Sequence, residues 1–88
     1  MAWAVRLSRD AEKQFAHLPR DRREIVAAAI DRMKQDPFQG NVKSLKGKEW
    51  RGRFRKAVGR YRIIFLPDYE QRRIEISAIL VRTERTYG

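Results

Sequence analysis

There is no cysteine among the 88 residues. That excludes both a disulfide framework and a thiolate metal site, and it fits a reducing compartment. A single histidine, His17, leaves a zinc site without ligands. No apolar run approaches the roughly 20 residues a membrane span requires, and the opening MAWAVRLSRD is charged too early for a secretory leader, so the expectation is a cytoplasmic protein. No glycine-rich phosphate loop, nucleophile elbow or suitably spaced carboxylate pair occurs, so neither a metal nor a cofactor is expected. Acidic residues are scarce: 11 stand against 21 lysines and arginines, a formal net charge of +10. So strong a positive potential on so small a body points to a polyanionic partner.

What is present is enough for one globular domain over residues 1–88. Hydrophobic residues make up 42% of the chain and charged residues 36%, too apolar for disorder. Met1 to Leu7 alternates with the period of a half-buried strand. Ser8 is placed to cap a helix that carries Asp10 and Glu12 in its first turn and stops at Pro19. Asp21 and Glu24 have capping-box spacing at the start of a second helix, with Ile25, Ala28, Ala29 and Met33 as its apolar stripe flanked by Val26 and Ile30, ending at Asp36-Pro37.

The lysine-rich segment from Asn41 to Glu49 reads as a surface connection. Period two then predicts strands over Trp50 to Lys56, Tyr61 to Leu66 and Arg73 to Val81, with turns at Val58-Gly59 and Pro67-Asp68. The expected fold is α+β in the order β-α-α-β-β-β, an antiparallel sheet with a two-helix hairpin packed on one face and the other face open. Trp3, Val5, Phe15, Ile25, Ile30, Phe54, Ile63, Phe65, Ile74, Ile76 and Ile79 are the expected core.

Alternation puts Arg51, Arg53 and Arg55 on one face of the second strand, within reach of Arg62 on the next. Like charges side by side destabilise a sheet unless an anion compensates them, and no acidic residue occurs between Arg51 and Arg62. One reading is a solvated face with splayed side chains; the other is a face that contacts phosphates. Cleavage of a phosphodiester by the ribose 2′-hydroxyl needs a proton acceptor, stabilisation of developing negative charge and protonation of the leaving oxygen. Arginine suits the second task and is a poor base. Lys43, Lys46, Lys48 and Lys56 are the nearby candidates for the first, and with Arg55 and Arg60 they are the expected RNA-contacting residues. Tyr61 or Tyr87 could donate a proton or stack on a base. His17 reads as a helix-end residue.

Lys43-Ser44-Leu45-Lys46-Gly47, then Trp50-Arg51-Gly52-Arg53-Phe54-Arg55, then Gly59-Arg60-Tyr61-Arg62-Ile63-Ile64-Phe65, resembles the central signature of the RelE/ParE toxin superfamily, and the ending Arg82-Thr83-Glu84-Arg85-Thr86-Tyr87 is similar to that of RelE-like toxins. The resemblance spans almost the whole chain. It implies a toxin of a type II toxin–antitoxin pair that enters the ribosomal A site and cuts mRNA there through 2′-hydroxyl attack without a metal, silenced by an acidic antitoxin. By the same resemblance Arg51, Arg53, Arg62, Arg82 and Tyr87 form the catalytic set: Arg62 and Arg82 stabilise or protonate at the scissile phosphate, and Tyr87 stacks on or orients the nucleotide. Members with lysines on the second strand have a proton acceptor there, whereas this chain has arginines. The alternative within the superfamily is a ParE-like toxin that poisons DNA gyrase and performs no RNA chemistry.

Overall fold

The computed structural model describes residues 2–81. Two helices lie on one face of a five-stranded sheet, β1(Ala4–Leu7) α1(Arg9–Ala16) α2(Arg20–Met33) β2(Val42–Ser44) β3(Phe54–Val58) β4(Tyr61–Asp68) β5(Arg73–Val81), with a short 3-10 turn over Lys48–Trp50. The strand order is β1-β5-β4-β3-β2. All neighbours are antiparallel except β1 and β5, which pair in parallel with Val5 opposite Ile74 and Leu7 opposite Ile76. The α+β class and the helical hairpin on one sheet face are as expected.

Ser8 caps α1 as its position predicts, its Oγ accepting from the Ala11 amide at 3.1 Å. His17 closes the same helix, its Nδ1 2.7 Å from the Lys13 carbonyl oxygen, which is the helix-end role expected of it. The start of α2 differs from expectation. Its cap is Pro19, with no side-chain capping bond, so Asp21 and Glu24 form no capping box. The proline presets the entry dihedral, and its missing N–H is one the first helical turn leaves unpaired in any case.

The apolar stripe of α2 is Val26, Ala29, Ile30 and Met33, while Ile25 is 47% exposed and must be struck from the core. Residues 26, 29, 30 and 33 follow the i, i+3, i+4, i+7 rule, and Ile25 lies about 100° round the helix from Val26. These side chains pack on Tyr61, Ile63, Phe65, Ile74, Ile76 and Ile79. Phe38, after α2, closes the lower end of the core, edge-on to Trp3 and Phe54 and stacked on Tyr69.

Three strand assignments also change. The connection between residues 41 and 49 contains β2, which pairs with β3 through Val42 and Lys56, Lys43 and Arg55, Ser44 and Phe54. The expected strand from Trp50 begins only at Phe54, because Gly52 at φ +78° breaks the extended run. Conversely, β4 continues through Pro67 to Asp68. The ladder to β3 ends at Phe65, so the N–H that proline lacks is not needed on that side.

Candidate nucleic-acid interface on the open sheet face

The register fixes which side chains share the face away from the helices. Phe54, Lys56 and Val58 of β3 point to the helices, so Arg55 and Ala57 point outward. Lys43 lies directly opposite Arg55 across β2, and Arg62 lies opposite Ala57 across β4, a diagonal neighbour of Arg55. Lys43, Arg55 and Arg62 therefore form a basic diagonal over three adjacent strands.

Arg53 joins them from just before β3. Its Nε donates to Ser77 Oγ at 3.2 Å, reaching across β4 to β5. Ser77 is available because the β4–β5 ladder slips: Ile64 pairs with Ala78 but Phe65 with Ile76, leaving Ser77 as the extra residue of a bulge. The carbonyl of Ser77 accepts from Ser8 Oγ at 2.9 Å, so the cap of α1, the bulge and Arg53 are joined in one relay. Ser8 and Ser77 are the site residues that motif reading misses. The signal for the bulge is nonetheless in the sequence, since Ile74 and Ile76 keep one parity and Ile79 has the other.

Arg62 is buried, and its Nη1 donates to the carbonyl oxygens of Tyr61 at 3.0 Å and Gly59 at 3.3 Å, bracing the β3–β4 turn. Among the described residues no carboxylate lies within 4.0 Å of the charged groups of Lys43, Arg51, Arg53 or Arg55; the ion pairs instead join Arg20 to Glu24, Arg22 to Asp21, Lys34 to Asp31 and Arg73 to Asp68. The other end of the face is charge-balanced. A cleft of about 590 Å³ there is lined by Arg6, Leu66, Asp68, Arg73 and Glu75.

Other expected residues fall elsewhere. Arg51 follows the 3-10 turn, exposed and off the strand, so alternation does not align it with Arg53. Lys46 and Arg60 are exposed between strands, and Lys48 is exposed on the 3-10 turn. Lys56 turns to the helix side, where its Nζ donates to the Gln39 carbonyl at 2.7 Å. Burial first, then the Arg32 guanidinium, pushes its amine below the ordinary lysine value, with Asp36 opposing. The depressed lysine that a general base would need thus exists on the wrong face. Tyr61 is buried in the core, not available for stacking. Arg82 and Tyr87 lie outside the described residues. Among the described residues no group of three or more His, Asp or Glu is arranged to hold a metal, and no helix is long and apolar enough to cross a membrane.

A helical hairpin on one face of such a sheet, with basic side chains gathered on the other, defines a class of small α+β domains. Within it the match is specific: residues 5–86 fit the model of the ParE toxin of type II toxin–antitoxin systems, and the chain belongs to that family, within the RelE/ParE superfamily. It is a toxin of a type II toxin–antitoxin system.

Solved structures agree on the fold. The archaeal RelE–RelB complex from Pyrococcus horikoshii OT3 contains a chain with TM-score 0.79 and 21% identity, covering 96% of this chain and 99% of that one. The RelBE2 toxin–antitoxin complex of Mycobacterium tuberculosis gives 0.74 and 23%, covering 93% and 100%. The YoeB/ParE toxin from Agrobacterium tumefaciens gives 0.75 and 15%, covering 91% and 99%. No curated protein matches the chain by sequence. The Mycobacterium tuberculosis neighbour is a toxin–antitoxin complex.

Proposed function

We propose that this toxin is a metal-independent endoribonuclease that cleaves mRNA in the ribosomal A site and so stops translation. The observation that carries the reading is the convergence of Lys43, Arg53, Arg55 and Arg62 on the sheet face away from the helices, where Arg62 is buried and no carboxylate neutralises the first three among the described residues. Held on such a face, an RNA backbone supplies the missing anion, and cations aimed at a phosphate stabilise the pentacovalent transition state more than the ground state.

In the proposed reaction the 2′-oxygen attacks phosphorus, the bond from phosphorus to the 5′-oxygen breaks, and a 2′,3′-cyclic phosphate and a 5′-hydroxyl result. Arg53, held through Nε by Ser77, keeps its two terminal nitrogens for the phosphate. Arg62 and Arg82 stabilise or protonate at the departing oxygen, and Tyr87 stacks on the nucleotide. With arginines where a base would stand and Lys56 turned inward, the 2′-proton passes to solvent or to a ribosomal group in the strong positive field. The acidic antitoxin neutralises the same field.

The family match itself favours a second reading, a ParE-type toxin that binds DNA gyrase and leaves RNA intact. Translation of a reporter mRNA with purified components separates them. Cuts mapped within codons, lost in Arg53→Gln and Arg55→Gln proteins that remain folded, are the expected result. Intact mRNA, together with gyrase-linked DNA breaks in cells expressing the chain, would replace the nuclease reading with the second.

A further inference from the structure

On the opposite side of the sheet, the end of α2, the loop over residues 39–41 and strand β3 enclose a cleft of about 370 Å³ lined by Arg32, Gln39, Gly40, Asn41, Lys56 and Val58. Lys56 is 7% exposed. Its ammonium has three donors, and among the described residues one is engaged, by the Gln39 carbonyl at 2.7 Å. Arg32 has no carboxylate within 4.0 Å among the described residues. The acid that acts on Lys56, Asp36, already accepts the Phe38 amide at 3.0 Å through Oδ1. Two cations, Lys56 buried and Arg32 exposed, thus line one concave space, and among the described residues no carboxylate lines it with them. Such an arrangement is unfavourable until an anion enters it, and the low local dielectric that makes the unpaired cation costly strengthens its attraction for one.

We propose that this cleft is an oxyanion-binding site, taking a single phosphate or carboxylate group between the Lys56 ammonium and the Arg32 guanidinium, with Asn41 at the rim. Adjacent residues of a strand face opposite ways, so Lys56 and Arg55 serve different sides of the sheet. Filling the cleft leaves the basic diagonal open, which makes this a site additional to the RNA-facing one and independent of whether the chain cuts RNA.

An NMR amide titration of the full chain with inorganic phosphate, acetate and chloride at matched ionic strength tests it. Saturable shifts confined to Arg32, residues 39–41 and residues 56–58 are expected, with affinity reduced at least tenfold in Arg32→Gln, a change on the exposed helix surface. Saturation by phosphate alone assigns a phosphate-bearing ligand, and saturation by acetate alone a carboxylate. Shifts that stay linear, spread over all surface lysines and arginines, appear equally with chloride, or persist at full affinity in Arg32→Gln would overturn the site. Lys56→Met should abolish saturation where its melting curve remains cooperative; should it unfold, the Arg32→Gln comparison alone decides.

Discussion

Arg62 combines two demands that a surface arginine does not meet. Its guanidinium braces the turn through the carbonyls of Gly59 and Tyr61 while lying on the face proposed to meet RNA. Removing it should therefore cost stability as well as activity. Arg62→Ala is expected to destabilise the fold by about 1.5–3 kcal/mol, the range for hydrogen bonds made by a charged group, as read from urea melts. Arg55→Ala, with no such bonds, should leave the melting curve within about 0.5 kcal/mol of the parent. Equal stability of the two variants would show that Arg62 has no structural role.

Lys56 makes a second test at this scale. Its amine is depressed in the folded state, so as pH rises the native chain releases that proton before the unfolded chain does. Through the window between the depressed value and the ordinary one, the unfolded state holds more protons and stability rises with pH. Below that window the penalty is present in full. Taking the difference between wild type and Lys56→Met cancels the other lysines, and that difference should shift in favour of wild type as pH climbs through the alkaline range. A pH-independent difference would mean that burial and Arg32 exert no net effect on the amine.

Among the elements, α2 shows how a one-residue error in phase rotates a helix. Ile25, Ala28, Ala29 and Met33 look like a stripe, but Val26, Ala29, Ile30 and Met33 are the buried set. Both patterns fit the helical period, and only the position of the sheet chooses between them. Ile25→Lys is expected to change stability by less than about 0.5 kcal/mol, against a loss of about 2–5 kcal/mol for Met33→Ala in thermal or chemical melts.

The strands were legible where alternation is uninterrupted, as in Tyr61 to Phe65. They were not where a local device resets it: Gly52 delays β3, and β2 is three residues long with polar side chains and is held chiefly by its partner. The basic face was legible for Arg53, Arg55 and Arg62 because it follows from parity. Lys56 leaves the expected RNA-contacting set because the same parity sends it to the helices, where its Nζ donates to the Gln39 carbonyl. The Ser77 bulge needed the change of parity between Ile76 and Ile79 to be read as geometry. No pattern of residue types encodes its bond to Arg53.

At the scale of the whole molecule, the net charge of +10 is distributed unevenly. Lys43, Arg53, Arg55 and Arg62 crowd one end of the face away from the helices, while Asp68 and Glu75 balance Arg6 and Arg73 at the other. If four cations meet phosphates of a short single-stranded RNA, the logarithm of the association constant should fall with the logarithm of salt concentration with a slope of roughly −3. Replacing both Lys43 and Arg55 by glutamine should make that slope shallower by about 1.4, at about 0.7 per phosphate contact. An unchanged slope would place binding elsewhere on the surface.

The parallel pairing of β1 with β5 ties the first described strand to the last. A chain emerging from the ribosome presents β1 long before β5 exists, and the central strands β4 and β5 are the last to be made. The sheet therefore closes only after β5 has been made, since distant pairings must wait for both members. A toxin built this way would stay incomplete until both members of that parallel pair had been made. The antitoxin, in turn, would have a finite interval after each round of synthesis in which to capture a newly completed toxin.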